Sequence, residues 1–207
     1  GVSFRIAVLI SGEGTNLLGL LDRGHGREGI EVVGVAASRE DARGLVGARR
    51  AGVETGVFAV ADHADRAARD RALASWLDER TPDLLVLAGF MELLTAEFIR
   101  AHAGRMINVH PALLPAFPGV RAIEQALDYG VKVGGVTIHF VDEGVDTGPV
   151  LLQEAFDLPY HRDIAAIEQR VHEIEHRLLA RAVRLIAAGR VRIDSHNPRL
   201  VHIDVPD

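Results

Sequence analysis

The sequence contains no cysteine. That absence removes disulfide scaffolds, thiolate catalysis, iron-sulfur ligation and cysteine-ligated zinc ribbons together, and it agrees with a reducing compartment. A cytoplasmic location is the expectation. Aromatic residues are scarce, at 5% of the chain, and Lys132 is the single lysine, so nearly every cation is an arginine. Cations are also outnumbered, with 23 Lys plus Arg against 29 Asp plus Glu, a formal charge of -6 and a pI near 5.9. A broad phosphate-neutralising face is therefore not available, and no nucleic-acid partner is expected. Long hydrophobic runs are missing too. A stretch such as Leu84 to Ala88 falls far short of the roughly 20 residues of a membrane helix, and the first residues carry no signal-peptide pattern. A soluble protein with no membrane partner is predicted.

What is present is globular: 207 residues, 48% of them hydrophobic and 25% charged, enough to bury roughly 70% of the extended chain's surface. One domain is expected over residues 1–207, with an N-terminal half at 1–104 and a C-terminal half at 105–207. Compact runs rich in Val, Ile and Leu predict buried strands at Arg5 to Ile10, Glu31 to Ala37, Leu84 to Ala88 and Met106 to Val109, with a weaker one at Val57 to Val60. Helical segments lie between them at Thr15 to Asp22, Asp41 to Ala51 and Ala64 to Glu79, the last stopped by Thr81-Pro82. A short helix at Ile123 to Tyr129 precedes strands at Gly135 to Val141 and Val150 to Phe156. From Asp163 to Ala188 the apolar residues Ile164, Ile167, Val171, Ile174, Leu178, Ala182 and Leu185 fall three or four apart, so one helical stripe faces the core. The stretch from Val191 to Ile203 reads as a terminal hairpin or extended tail. The alternation of strand and helix predicts an α/β fold: an open, mostly parallel, twisted sheet with helices on both faces, of Rossmann-like type.

Four constellations carry chemistry. Ser11-Gly12-Glu13-Gly14-Thr15-Asn16 joins the first strand to the first helix, where glycines let N–H groups converge and the helix N-terminus favours an anion. It is neither a Walker loop nor a full dinucleotide fingerprint, since the third glycine would fall at Leu17. A plain strand-to-helix turn capped by Thr15 or Asn16 is the alternative. In Asn108-Val109-His110-Pro111, an extended backbone puts the amide and the imidazole on the same side at the end of a strand. An amide can stabilise an oxyanion while an imidazole moves protons; a hydrogen-bonded core histidine is the alternative.

The acidic loop Asp142 to Pro149 offers Asp146 as a partner for His110, or simply a solvated turn. His172-Glu173-Ile174-Glu175-His176 matches H-E-x-x-H, a zinc-hydrolase pattern with His196 or Asp194 as a distant third ligand, or else a polar helix face. Elsewhere, His139 alternates with Ile138 and Phe140 and reads as structural; Trp76 and Phe90 read as core. Arg66 and Asp70, four apart on a helix, read as a surface ion pair.

Four blocks, Ile10 to Asn16, Leu87 to Met91, Asn108 to Gly119 and His139 to Gln153, together resemble the phosphoribosylglycinamide formyltransferase family of folate-dependent purine synthesis, over most of the chain. The resemblance implies transfer of a formyl group from 10-formyltetrahydrofolate to the amine of 5-phosphoribosylglycinamide (GAR), without a metal. It assigns catalysis to Asn108, His110 and Asp146. It places the GAR phosphate and ribose at Gly14, Thr15, Asn16, His172 and Glu175, although His172 falls where the family often carries lysine or glutamine. The folate cosubstrate is assigned to Arg66, Met91, Glu92, Leu93, Leu94, Val141 and Asp142, together with Asn108 and Asp146.

The chain departs from the family at Glu92, where relatives commonly have arginine, and at Arg121 and Ile123 around the substrate mouth. Two small-molecule substrates are the expected partners, and the protein is expected as a monomer or homodimer. A formyltetrahydrofolate deformylase and a methionyl-tRNA formyltransferase share the His-Pro-x-Leu-Leu-Pro region but normally carry an extra domain, for which 207 residues leave no room. The alternatives kept are a formyltetrahydrofolate deformylase-like hydrolase, the zinc hydrolase on His172 and His176, and a nucleotide-binding regulatory module.

Overall fold

Five consecutive residues, Ile6 to Ile10, have no exposed surface. A strand half-exposed to water would alternate, so this continuous burial requires cover on both faces. In the computed structural model, which describes residues 3–158 and 163–204, these residues form most of β1 (Phe4–Ile10), with parallel neighbours on either side.

The chain forms two compact units, Gly1–Ile107 and Asn108–Asp207. In the first, β1 pairs with β2 (Ile30–Ala37) and β4 (Leu84–Leu87), and β2 pairs with β3 (Thr55–Val57), all parallel. Its helices are α1 (Thr15–Arg23), α2 (Gly44–Arg50), α3 (Arg66–Glu79) and α4 (Ala96–Ala101). Side-chain caps start two of them: Asp65 accepts from the Ala68 N–H at 2.8 Å, and Thr95 from the Phe98 N–H at 3.2 Å. The sequence places a strand at Val57 to Val60, but β3 ends at Val57 because Phe58 makes the last backbone bond to β2, at the Ala37 carbonyl. Val60–Asp62 is instead a 3₁₀ turn.

The unit boundary falls inside β5 (Met106–His110), and the strands of the first unit lie in the order β3-β2-β1-β4. In the second unit, α5 (Ala122–Tyr129) leads into the antiparallel pair β6 (Val133–Phe140) and β7 (Val150–Asp157). Their register shifts between Ile138 and His139. The long α6 (Ile164–Ala187), capped by Asp163 on the Ala166 N–H at 3.2 Å, packs on β6 and β7. Its stripe is buried from Ile167 to Ala182, whereas Ile164 in the first turn is exposed and Leu185 in the last turns is half-buried. A hairpin of β8 (Val191–Ile193) and β9 (Val201–Ile203) follows. The architecture is the open, mostly parallel α/β sheet anticipated from the pattern.

Helix α3 corrects one ion pair. Asp70 is 2% exposed and bonds Arg69 Nε at 2.7 Å, not Arg66; Arg69 itself is fully buried. The i, i+4 spacing put Arg66 and Asp70 on one face, but Asp70 is turned inward, where it also accepts the Thr95 N–H at 2.7 Å. Arg66 instead meets Glu92, at 3.3 Å. Breaking a buried pair leaves an uncompensated charge, so Asp70→Ala is expected to destabilise the protein by about 3–5 kcal/mol. Urea denaturation tests this, and a loss under 1 kcal/mol would refute the pairing as a structural element.

Candidate active site

In the second unit, Asp146 gathers four groups. Gly119 N–H donates to its Oδ2 at 2.7 Å, and His110 Nδ1 lies 3.4 Å from the same oxygen. Asn108 Nδ2 donates to Oδ1 at 3.3 Å, and His139 Nε2 lies 3.5 Å from it. The extended backbone of β5 accounts for Asn108 and His110 reaching one carboxylate, as the two-residue period requires.

The backbone is shaped for this arrangement. Asp146 has φ 53° and Phe117 φ 51°, left-handed values that cost a side-chain-bearing residue energy and collect at functional sites. Gly148 is obligatory, since a Cβ there would lie 1.7 Å from the Phe140 carbonyl oxygen, so the loop returns to β7 only through glycine. Asp142 braces the same loop, accepting from the Gly144 N–H at 3.0 Å and the Thr147 hydroxyl at 2.5 Å.

Electrostatics follow from these contacts. Burial pushes the Asp146 carboxyl up, but the His139 side chain, the Gly119 N–H and then the charges of His110 and His139 outweigh burial and hold it below the usual carboxylate range. His110 Nε2 faces the Phe117 carbonyl at 2.7 Å while Nδ1 faces Asp146. Both ring nitrogens thus meet acceptor oxygens, an environment that a doubly protonated imidazolium satisfies completely.

In the first unit, the Ser11 to Asn16 turn opens α1 from Gly14, whose φ is 69°. Neither Thr15 nor Asn16 caps the helix; Gly14 occupies the cap position without a side chain. A Cβ on Gly14 would sit 2.9 Å from the Gly44 Cα, so the turn packs backbone on backbone. The Ser11 hydroxyl is engaged by Ser38 at 2.6 Å and the Met91 N–H at 2.8 Å. Arg66 also donates to the Leu93 carbonyl at 2.8 Å, beside the exposed side chains of Met91 and Leu93, while Leu94 is half-buried.

On α6, His172 Nδ1 bonds Glu175 Oε1 at 2.9 Å, and Glu175 is 5% exposed. Glu173 is exposed and pairs with Arg170 at 3.9 Å. Asp194 is committed to its own turn, accepting the His196 and Asn197 N–H groups and facing His202 at 2.8 Å. Among the described residues no group of three His, Asp or Glu side chains is placed to hold a metal ion. Among the described residues the H-E-x-x-H spacing acquires no third ligand, and His172 is engaged by the buried Glu175.

The formyl transferase family pattern matches residues 4–183. A phosphoribosylglycinamide formyltransferase of Mycobacterium tuberculosis is 42% identical over 189 residues, covering 91% of this chain and 87% of that protein. The chain belongs to the phosphoribosylglycinamide formyltransferases. The structure of a glycinamide ribonucleotide transformylase from Symbiobacterium toebii superposes on this member of the family with a TM-score of 0.91 at 44% identity, covering 97% of this chain and 94% of that one. A trifunctional purine biosynthetic protein of Bos taurus is 41% identical over 190 residues. There the match spans 91% of this chain but only 19% of the bovine protein.

One residue of this formyltransferase's cluster escaped the sequence reading. His139, read as structural, is 2% exposed and touches both Asn108 and Asp146. Its only sequence signal was a polar, titratable group in an otherwise apolar strand, which announces a buried partner without naming it.

Proposed function

We propose that the chain transfers the formyl group of 10-formyltetrahydrofolate to the amine of GAR, giving formyl-GAR and tetrahydrofolate in purine synthesis. The observation that carries this reading is the convergence of Asn108 and His110 on Asp146 at the end of β5, in a chain of this family.

The amine nitrogen attacks the formyl carbon, and the carbonyl oxygen takes up negative charge. The Nε2 proton of His110, given to the Phe117 carbonyl in the structure, is the one the oxyanion receives, with an Asn108 N–H beside it. Asp146 orients His110 and balances its charge. The tetrahedral carbon then releases the folate nitrogen, and the proton lost by the amine ends on that nitrogen, so the exchange balances without a metal.

The GAR phosphate is assigned to the N–H groups of Gly14, Thr15 and Asn16 at the start of α1, where the first helical N–H groups have no intrahelical partner; His172 and Glu175 are assigned to GAR as well. The folate is assigned to Arg66, Met91, Glu92, Leu93, Leu94, Val141 and Asp142. Among the described residues no helix is long and apolar enough to cross a membrane, and a cytoplasmic location is part of the proposal.

An absorbance assay for tetrahydrofolate product, run with and without GAR, tests the reaction. Product only with GAR supports transfer. Formate released without GAR would make the chain a hydrolase, and no product in either reaction would overturn both. Gly14→Ala is expected to raise the KM for GAR at least about tenfold with a smaller change in kcat, because the phosphate contact is uniform binding energy. An unchanged KM for GAR would remove the phosphate from this turn.

A further inference from the structure

Asp146 stands in a loop with almost no core of its own. The Phe140 N–H closes the loop's base on the Pro149 carbonyl at 2.9 Å, and between those two residues only Gly148 is buried. Glu143, Gly144, Val145 and Thr147 are exposed. Asp146 must nevertheless hold φ 53° and keep both carboxylate oxygens on the cluster. A left-handed residue with a side chain persists only where its surroundings over-determine it, and the Asp142 contacts reach only the Gly144 N–H and the Thr147 hydroxyl.

The further restraint comes from the β8–β9 turn. Arg199 donates from Nη1 to the Thr147 carbonyl and from Nη2 to the Gly148 carbonyl at 3.4 Å. We infer that Arg199 is a positioning residue: its fork clamps the two residues that follow Asp146 and so keeps the carboxylate against His110 and Asn108. The kinetic consequence rests on the reaction proposed above; the placement of the carboxylate does not.

The hairpin is built to present this arginine. Asp194 accepts the His196 and Asn197 N–H groups at 2.9 and 2.7 Å, and its own N–H donates to the Leu200 carbonyl at 2.9 Å. The Asn197 side-chain oxygen accepts the Arg199 N–H at 3.0 Å, which fixes the backbone from which the guanidinium extends. The Asp204 N–H closes the other end of the hairpin on the Arg190 carbonyl at 2.8 Å, and β9 packs on β7, the strand to which the Asp146 loop returns. Clamp and loop therefore share one support.

The chemistry of the contact favours position over charge. Both acceptors are neutral carbonyls, and a planar guanidinium offers two donors in a fixed fork where an ammonium is a single point. An exposed side chain bonded to neutral carbonyls adds little to global stability, so the effect of Arg199 is local to the loop.

Hydrogen exchange in ligand-free protein tests the placement directly. The Gly119 N–H donates to Asp146 Oδ2 at 2.7 Å, so its protection reports whether the carboxylate is in place. Arg199→Met, which keeps an apolar stem without donors, is expected to speed exchange at Gly119 at least about tenfold while leaving the buried Leu179 amide of α6 within about twofold of wild type. Unchanged exchange at Gly119, or equal acceleration at both sites, would overturn the inference.

In steady-state kinetics Arg199→Met is expected to lower kcat about 5- to 20-fold, the scale of a modestly displaced catalytic group. Arg199→Lys keeps the charge but not the fork and is expected to stay within about threefold of the Met variant; full recovery by lysine would make charge the cause and overturn the clamp. In an Asp146→Asn background, Arg199→Met is expected to cost less than about twofold, because the arginine acts through that carboxylate. Full additivity would also overturn it. A wild-type protein unable to transfer formyl would remove the proposed reaction, and exchange at Gly119 would still decide the clamp.

Discussion

Replacement of His110 by alanine is expected to lower turnover by about 100- to 1000-fold or more, the usual cost of removing an oxyanion donor, and Asn108→Ala should fall in the same range. His110 contributes both the Nε2 proton that now meets the Phe117 carbonyl and, through Nδ1, the link to Asp146. Its removal leaves the developing oxygen charge without a cation and leaves Asp146 without the charge that balances it. The two substitutions should not multiply. Asn108 and His110 serve one oxyanion, and groups that act as a unit lose most of their effect at the first deletion. A double variant only a few fold slower than the worse single one is the expected result. Near-normal kcat in both single variants, with folding checked by circular dichroism, would sink the catalytic assignment.

Asp146→Asn carries the second large effect and has two readouts. Asparagine tolerates the left-handed backbone that Asp146 adopts at φ 53°, so the substitution changes charge with little strain. Turnover is expected to fall about 100-fold or more, since the amide cannot balance a charged His110. The 3.4 Å contact between His110 Nδ1 and the Asp146 carboxylate is lost as well, so the pH–rate profile is expected to differ from that of the wild type. An unchanged pH–rate profile would refute the pairing.

Stability supplies the other readout. The folded-state value of Asp146 is lowered from the ordinary 3.8, so its carboxylate stabilises the fold above that pH and the contribution is lost as pH falls through the lower folded value. Wild type and Asp146→Asn should therefore differ in urea stability at pH 6 and converge in strong acid. A difference that widened in acid would carry the wrong sign for this account.

The parts of the fold legible in the sequence were those decided by burial of the chain's own apolar groups. Continuous runs such as Ile6 to Ile10 declare a doubly covered strand, and the three-four spacing after Ile167 declares the buried face of α6. The six-residue α4 was not legible, being too short to show a period and starting from a Thr95 cap that resembles any turn. At β3 the apolar residues continue past Val57, but strand pairing ends there, because pairing depends on a neighbouring strand and not on composition.

The candidate site divides in the same way. Asn108 and His110 could be placed on one side of a strand from their separation of two residues. Arg66 and Asp70 could be placed on one face of a helix, yet spacing did not reveal that Asp70 turns inward to Arg69 while Arg66 meets Glu92. Glu92, which the resemblance marks as a departure from the family, thus has a partner in this chain. His139 stayed hidden for the same reason: alternation showed that it was buried, not that Asp146 returns to it across the β6–β7 loop.

By itself the sequence determined the alternation of strands and helices, the glycine turn before α1, the pairing of amide and imidazole at the end of β5, and the family, because each is set by neighbours along the chain. Only the tertiary structure decided that one carboxylate receives Asn108, His110 and the Gly119 N–H, that His139 stands behind them, and that His172 serves Glu175. Those contacts join residues by the return of distant segments or by which helix face is buried, and their energies depend on angstrom-scale distances and exclusion of water, which the order of residues does not contain.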